Sequence, residues 1–341
     1  MKKGFTKLEI ILGGIILFFA IGFLITKNLS SFVGKENLLR QRFNVFKSLT
    51  DGKEFSKAYS YLSSSVKKET SLENYLEEGK KLSEVTEKGT IIKKIVINGD
   101  IGYVHRITTR CVDKSCDKTY KLEAYRKWIF ENGNWYNDGV APACIREGMY
   151  DMPPEFVRAL SLLNQRYSKK FPDSDYSIYK CLDVQYADLD NAEGLFSFDE
   201  NNSSLDRLTI YVDKSYLVRD DLLTAFLLAH EVNHANNYLV GLDRGGAYPC
   251  YELESAAFMT QFWFLSSFNQ EEIDSVVGRI ATTDYRSNPQ LSLIKIFADF
   301  AGNAGRICGN VVGDCKANQI EKQVINMVKS NPYYQKQCGQ N

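Results

Sequence analysis

Histidine is nearly absent: 341 residues contain only His105, His230 and His234. Chemistry that runs on imidazole is therefore confined to two short stretches of the chain. Charge of one sign is missing as well. Lys plus Arg number 42, as do Asp plus Glu, for a formal net charge of zero, and no basic block occurs. Without a basic stripe to meet phosphates, nucleic acid is not an expected partner. None of the eight cysteines forms a C-x-x-C pair, which argues against a cysteine zinc site or a thioredoxin-type redox motif. No internal repeat is visible, and no G-x-x-x-x-G-K string is present; the glycines between 302 and 313 read as a turn. Apolar and aromatic residues are not scarce, at 44% and 13%, so the chain has material for a core. Its length suggests two domains plus an appendage.

Two of the three histidines fall in one pentapeptide, His230-Glu231-Val232-Asn233-His234. Written H-E-x-x-H, this pattern depends on helical geometry. Residues i and i+4 lie about 40° apart around a helix, so both imidazoles can reach one metal ion. Glu231 is then close enough to take a proton from a water on that metal. The segment DDLLTAFLLAHEVNHANNYLV (220–240) predicts that helix, with an acidic start and Gly241 as its C-cap. Both histidines share its apolar stripe with Leu223, Phe226 and Leu227, where a metal offsets the cost of burying them.

A zinc site needs a third ligand. Asn237 and Val240 occupy the places where a longer H-E-x-x-H-x-x-G-x-x-H pattern needs Gly and His, so a downstream carboxylate is expected. CYELESAAFMTQFWFLSSF (250–268) reads as a second helix. Glu252 and Glu254 are about 200° apart on it and cannot both face the metal. Glu254 lies on the apolar stripe with Ala257, Gln261 and Phe264, so Glu254 is the expected ligand and Glu252 the reserve. Small Ala257, one turn on, lets the two helices approach closely.

H-E-x-x-H followed by Glu254-x-x-Ala257 resembles the gluzincin metallopeptidases. The fuller string, with Cys250-Tyr251, Phe258, Gln261 and Trp263, is similar to bacterial zincin-like domains. The likeness covers roughly 220–268. It implies Zn²⁺ on His230, His234 and Glu254, with Glu231 as general base on a water. Phe258 stands where gluzincins often have Asp or Asn, so any carboxylate supporting the ligands must come from elsewhere. Arg244, Tyr248 and Tyr251 are the candidates for stabilising an oxyanion. Three short strands precede the motif helix: SIYKCLDVQYA, GLFSF and RLTIYV. RLTIYV (207–212) is the expected edge strand, able to take an extended peptide by strand addition.

The N-terminus is apolar or Gly from Ile10 to Ile25, about 24 Å as a helix. With Leu8 and flanking lysines it reads as a retained membrane anchor. Glu9 heads this run, where a carboxylate costs about 2.5–3.5 kcal/mol at mid-bilayer. Lys2-Lys3-Gly4-Phe5 with Glu9 resembles a type IV prepilin signal. That likeness implies cleavage after Gly4, pairing of Glu9 with a free Phe5 amine, and assembly like that of pilins. Eight cysteines beyond such an anchor read as disulfides in an oxidising compartment. Cys111 and Cys116 can close the VDKS loop and Cys308 and Cys315 another; the remaining pairs stay open.

The expected organisation is α+β, with an anchor (1–30), a middle domain (31–140), a linker (141–153) and a mostly helical C-terminal domain with a small sheet (154–341). In the middle domain, Asp51 is expected to begin a helix running to Tyr61 and Ser71 to cap another. Period-two strands follow, with turns at Asn98-Gly99-Asp100 and Asn132-Gly133. Helices followed by a long antiparallel sheet resemble NTF2-like domains. His105 falls on a strand, where a structural or pocket-lining role is expected. Pro154 opens a helix to about Lys170. Helices are also expected after Asn269, from Pro289 to Ala304, and from about Ala317 to Lys329.

Together these readings point to a membrane-anchored zinc metallopeptidase with its body outside the cytoplasm, acting on a peptide or protein. The alternative is a non-catalytic pilin-like scaffold with a structural or inactive zincin fold. A weaker third option is amide hydrolysis of cell-wall material.

Overall fold

The computed structural model of the chain describes residues 34–82, 86–113, 115–190, 192–217, 220–245, 249–282 and 317–339. The molecule is α+β and divides into two compact units between Ala141 and Pro142. Several expected features lie outside the described residues: the anchor with Gly4, Phe5 and Glu9, the helix at 289–304, the turn at 302–313 and the Cys308–Cys315 pair. Among the described residues, no helix is long and apolar enough to cross a membrane.

Among the described residues, the first unit opens with helix α1 (34–51), in a stretch where the sequence predicts no element before Asp51. Leu39 and Phe43, one turn apart, give it a buried face. The expected helix start at Asp51 is corrected: Asp51 closes α1, paired with Lys47 one turn back. Lys53 then takes a φ of 58°, which breaks the helix. Helix α2 (Phe55–Tyr59) follows, then α3 (Ser64–Glu69) and α4 (Leu72–Leu82). Ser71 Oγ accepts from Asn74 N at 3.2 Å and caps α4 as expected.

Strands β1 (Glu87–Asn98), β2 (Ile101–Cys111), β3 (Thr119–Glu131) and β4 (Asn134–Val140) form an antiparallel sheet in that order. Asn132 and Gly133 have φ of 49° and 80°, so the Asn-Gly pair makes the tight turn its chemistry favours. Trp128 and Trp135 are fully buried with Leu39, Phe43, Ile97 and Val104. Each large aromatic in such a core costs about 3–5 kcal/mol when cut to Ala. Gly102 is bare because a Cβ there would lie 2.5 Å from Leu39 Cδ2. His105 has a structural partner, with Nε2 2.6 Å from Glu123 Oε1 across β2 and β3.

The second unit contains helix α5 (Pro154–Lys170), strands β5 (Leu182–Ala187), β6 (Gly194–Phe196) and β7 (Leu208–Asp213), and helix α6 (Asp221–Arg244). Helices α7 (Cys250–Leu265), α8 (Gln270–Thr282), α9 (Ala317–Ser330) and α10 (Pro332–Gln337) follow among the described residues. The sheet order is β5-β7-β6, with β7 parallel to β5 and antiparallel to β6. This corrects the expected edge: RLTIYV supplies the central strand β7, and GLFSF supplies β6, one of the two edge strands. Leu208, Ile210 and Val212 are fully buried, as suits a strand paired on both sides.

Helix α6 runs one turn further than expected. Gly241 is inside it, and Gly245, with φ of 72°, is the cap. Asp220 begins the helix by accepting from the N–H groups of Leu222 and Leu223. The residues from Leu223 to Val232 are all buried, so α6 is a central helix. Helix α7 packs against it over Ala257, which is fully buried. Asn233 Nδ2 donates to Thr260 Oγ1 at 2.9 Å, and Gln261 Nε2 to Phe226 O at 3.0 Å, so polar bonds as well as packing join the two helices. Disulfides link Cys111–Cys116, Cys144–Cys181 and Cys250–Cys338.

Candidate metal centre

His230 and His234 are one helical turn apart on α6, so their rings leave the same side of it. Their Nε2 atoms are 3.0 Å apart. Glu254, one turn into α7, brings Oε2 to 3.3 Å from His230 Nε2 and 3.7 Å from His234 Nε2. All three residues are buried, and their ligand atoms lie within 4.8 Å of one another. This His-His-Glu triad can hold a metal ion. Glu252, on the other side of α7, is exposed.

The electrostatics of the triad suit a cation. Burial opposes ionisation of Glu254, but hydrogen bonds and charge from the two histidines outweigh it and hold the carboxyl at about 2. Burial also pulls His230 down, yet the Glu254 bond and the charges of Glu231 and Glu254 leave it above its usual value. A buried carboxylate thus stays ionised beside two imidazole nitrogens that face each other. These three ligand atoms converge on one point, an arrangement that a cation between them would satisfy. The donor set therefore fits a metal. Around it, Phe258 packs its ring 4.7 Å from that of His230, and Gln337 Nε2 donates to Glu254 Oε1 at 3.1 Å. One residue after Ala257, Phe258 thus gives the triad an aromatic wall.

Glu231 is buried but is not one of the triad. Its Oε2 accepts from Phe196 N on β6 at 2.8 Å. Beside it, a Cβ on Gly194 would lie 2.9 Å from Glu231 Oε1, so only glycine leaves this carboxylate its room. Ser197 N bonds to Thr209 O and Glu193 O accepts from Asp213 N, both towards β7. By the alternation of an antiparallel ladder, the backbone groups of Gly194 and Phe196 point to the outer edge.

The triad and Glu231 open on one cavity of about 290 Å³. Leu195, Phe198, Phe258, Tyr333 and Tyr334 contribute to its wall. Of the expected oxyanion candidates, Arg244 and Tyr251 do not line it, and Tyr248 lies outside the described residues. Tyr333 and Tyr334 of α10 do. Burial pushes both phenols up, with the charges of Glu254 and Glu231 adding to it. Sequence reasoning missed these tyrosines because some 80 residues separate them from Glu254. One signal was available: Cys250 sits one turn before Glu254, and its disulfide partner Cys338 carries α10 to the site. The chain matches no model of a known protein family and no curated protein.

Proposed function

We propose that the chain is a membrane-anchored, zinc-dependent metallopeptidase that hydrolyses peptide bonds outside the cytoplasm. The observation that carries this reading is the convergence of His230, His234 and Glu254, with a non-ligating carboxylate, Glu231, on the same cavity. A purely structural metal site has no use for that fourth group. Two imidazoles and one carboxylate are a donor set suited to zinc with one position open. When bound, zinc would supply a Lewis acid that polarises a carbonyl and makes water nucleophilic near neutral pH.

The residues of the chain do the rest. Glu231, steadied by the Phe196 N–H, takes a proton from the attacking water and delivers it to the leaving amine. The outer edge of β6 offers the Gly194 backbone and the Phe196 carbonyl to an extended peptide, the Phe196 N–H being held by Glu231. Tyr333 and Tyr334 supply hydroxyl donors for the carbonyl oxygen, and burial keeps Tyr334 protonated.

A small sheet with an edge strand beside a buried motif helix supports a zincin-like second unit. Helices followed by a four-stranded antiparallel sheet support an NTF2-like first unit. The disulfides support an extracytoplasmic body. The prepilin-like Gly4, Phe5 and Glu9 favour the scaffold alternative, which detection of filaments containing the chain would support.

Metal content and peptide hydrolysis of the full-length protein test the reading. We expect about one zinc per chain, lost in His230→Ala and Glu254→Ala and kept in Glu252→Ala. Glu231→Gln is expected to retain zinc while turnover falls roughly 10²- to 10⁴-fold. Wild-type turnover in that variant, or a folded wild-type protein that takes up no metal, would sink the proposal.

A further inference from the structure

Glu193 is the carboxylate on the cavity wall that the chemistry above leaves unused. It stands immediately before β6, with its carbonyl tied to Asp213 N at 2.9 Å. Its carboxylate accepts from Tyr216 Oη at 2.8 Å, and Tyr216 is itself only 1% exposed. Burial pushes the Glu193 carboxyl up to about 7 against that hydrogen bond, and the charge of Asp213 adds to the rise. A carboxyl held where ionisation is disfavoured costs stability, so a function is worth seeking for it.

The lining of the cavity says what would satisfy it. Glu193, Glu231 and Glu254 all contribute, and no Lys or Arg does. A divalent ion on the triad would meet Glu254, and no cationic side chain of the lining meets Glu193. The same wall carries Leu195 and Phe198, large apolar side chains that are 47% and 52% exposed. Apolar surface next to an unbalanced carboxylate is complementary to an aliphatic stem with a positive head.

We propose that Glu193 selects the substrate of this cavity by receiving a cationic group of the peptide, either a Lys or Arg side chain or a free α-amine. The exposed apolar wall favours the side chain over the bare amine. This inference rests on the peptidase reading, and its test separates the two. Matched peptides carrying lysine or its neutral analogue norleucine, each with a free or an acetylated N-terminus, are offered to the full-length zinc-loaded protein. Hydrolysis is followed in wild type and in Glu193→Gln, and binding by calorimetry in Glu231→Gln and in the Glu231→Gln, Glu193→Gln double variant. Gln keeps an acceptor for Tyr216, so the change removes charge with little disturbance of the fold.

The expected result is at least about a tenfold preference for the lysine peptides, in KM and in binding, that disappears with Glu193→Gln. If the preference follows the free N-terminus instead and is lost in the same variant, the cation subsite stands and its source is the α-amine. Hydrolysis indifferent to charge, or a preference that survives Glu193→Gln, overturns the inference and leaves the peptidase reading intact. Selective binding without any hydrolysis in wild type overturns the peptidase reading and keeps the subsite. Neither binding preference nor hydrolysis overturns both.

Discussion

Glu231 owes its position to two neighbours on β6, one that donates a hydrogen bond and one that has no side chain. Phe196 N anchors one oxygen, and the bare Cα of Gly194 leaves room for the other. Gly194→Ala should therefore displace the carboxylate without touching the triad. We expect roughly a tenfold or greater loss of peptide hydrolysis, since small misplacements of a reacting group are costly, with zinc content unchanged. Equal turnover in that variant would show that Glu231 does not need this position. Glu87 sits between Lys47 and Arg110 at 2.9 Å from each. Burial raises its carboxyl, but the two cations outweigh it and hold the group below its ordinary value of 4.5. A carboxylate with a depressed folded value contributes stability above its unfolded value and loses it as pH falls through the folded one. Melting temperatures of the full-length protein should thus fall on acidification below about pH 4.5. Glu87→Gln should melt lower at pH 7 and lose less on acidification; an identical pH profile in the two proteins would refute this.

Among the elements, α10 is the one whose sequence least suggests its place. It is six residues long, begun by Pro332 and capped by Asn331. A helix this short holds little structure alone. The Cys250–Cys338 bond ties its C-terminal end to the first residue of α7, and this places Tyr333, Tyr334 and Gln337 on the cavity. Replacing both Cys250 and Cys338 by Ser should free α10. We expect weaker zinc retention, because the Gln337 bond to Glu254 is no longer held, and lower turnover, because the tyrosines are no longer fixed. Proteolysis near residue 330 should become faster in the double variant. Unchanged zinc affinity and turnover would mean that α9 packing suffices to hold the strap. The exchange of β6 and β7 within the sheet has a similar origin. RLTIYV has the stronger strand composition, and a strand rich in apolar residues is drawn to the position with two partners. The shorter GLFSF, which opens on a glycine, is left at the edge.

At the scale of the molecule, local patterns were legible and long-range closures were not. The H-E-x-x-H helix, the burial of Glu254 rather than Glu252, the Asn-Gly hairpin and the Cys111–Cys116 loop all depend on residues within a few positions of one another. Helical and strand periodicity, turn chemistry and loop length fix such features from sequence alone. Helix α1 escaped because its apolar spacing is spread among many charged residues, and its burial depends on Trp128 and Trp135 far along the chain. Gly241 misled for the converse reason: packing on all sides of α6 outweighs the modest cost of an internal glycine. The tertiary structure alone decided the pairing of Cys144 with Cys181 and of Cys250 with Cys338, the edge position of β6, and the arrival of Glu193, Tyr333 and Tyr334 at one cavity. The sequence alone determined that His230 and His234 can share a metal, because i and i+4 on a helix are neighbours wherever the helix lies. What surrounds those side chains was left to the folded chain, because it is set by contacts between segments that no local rule relates.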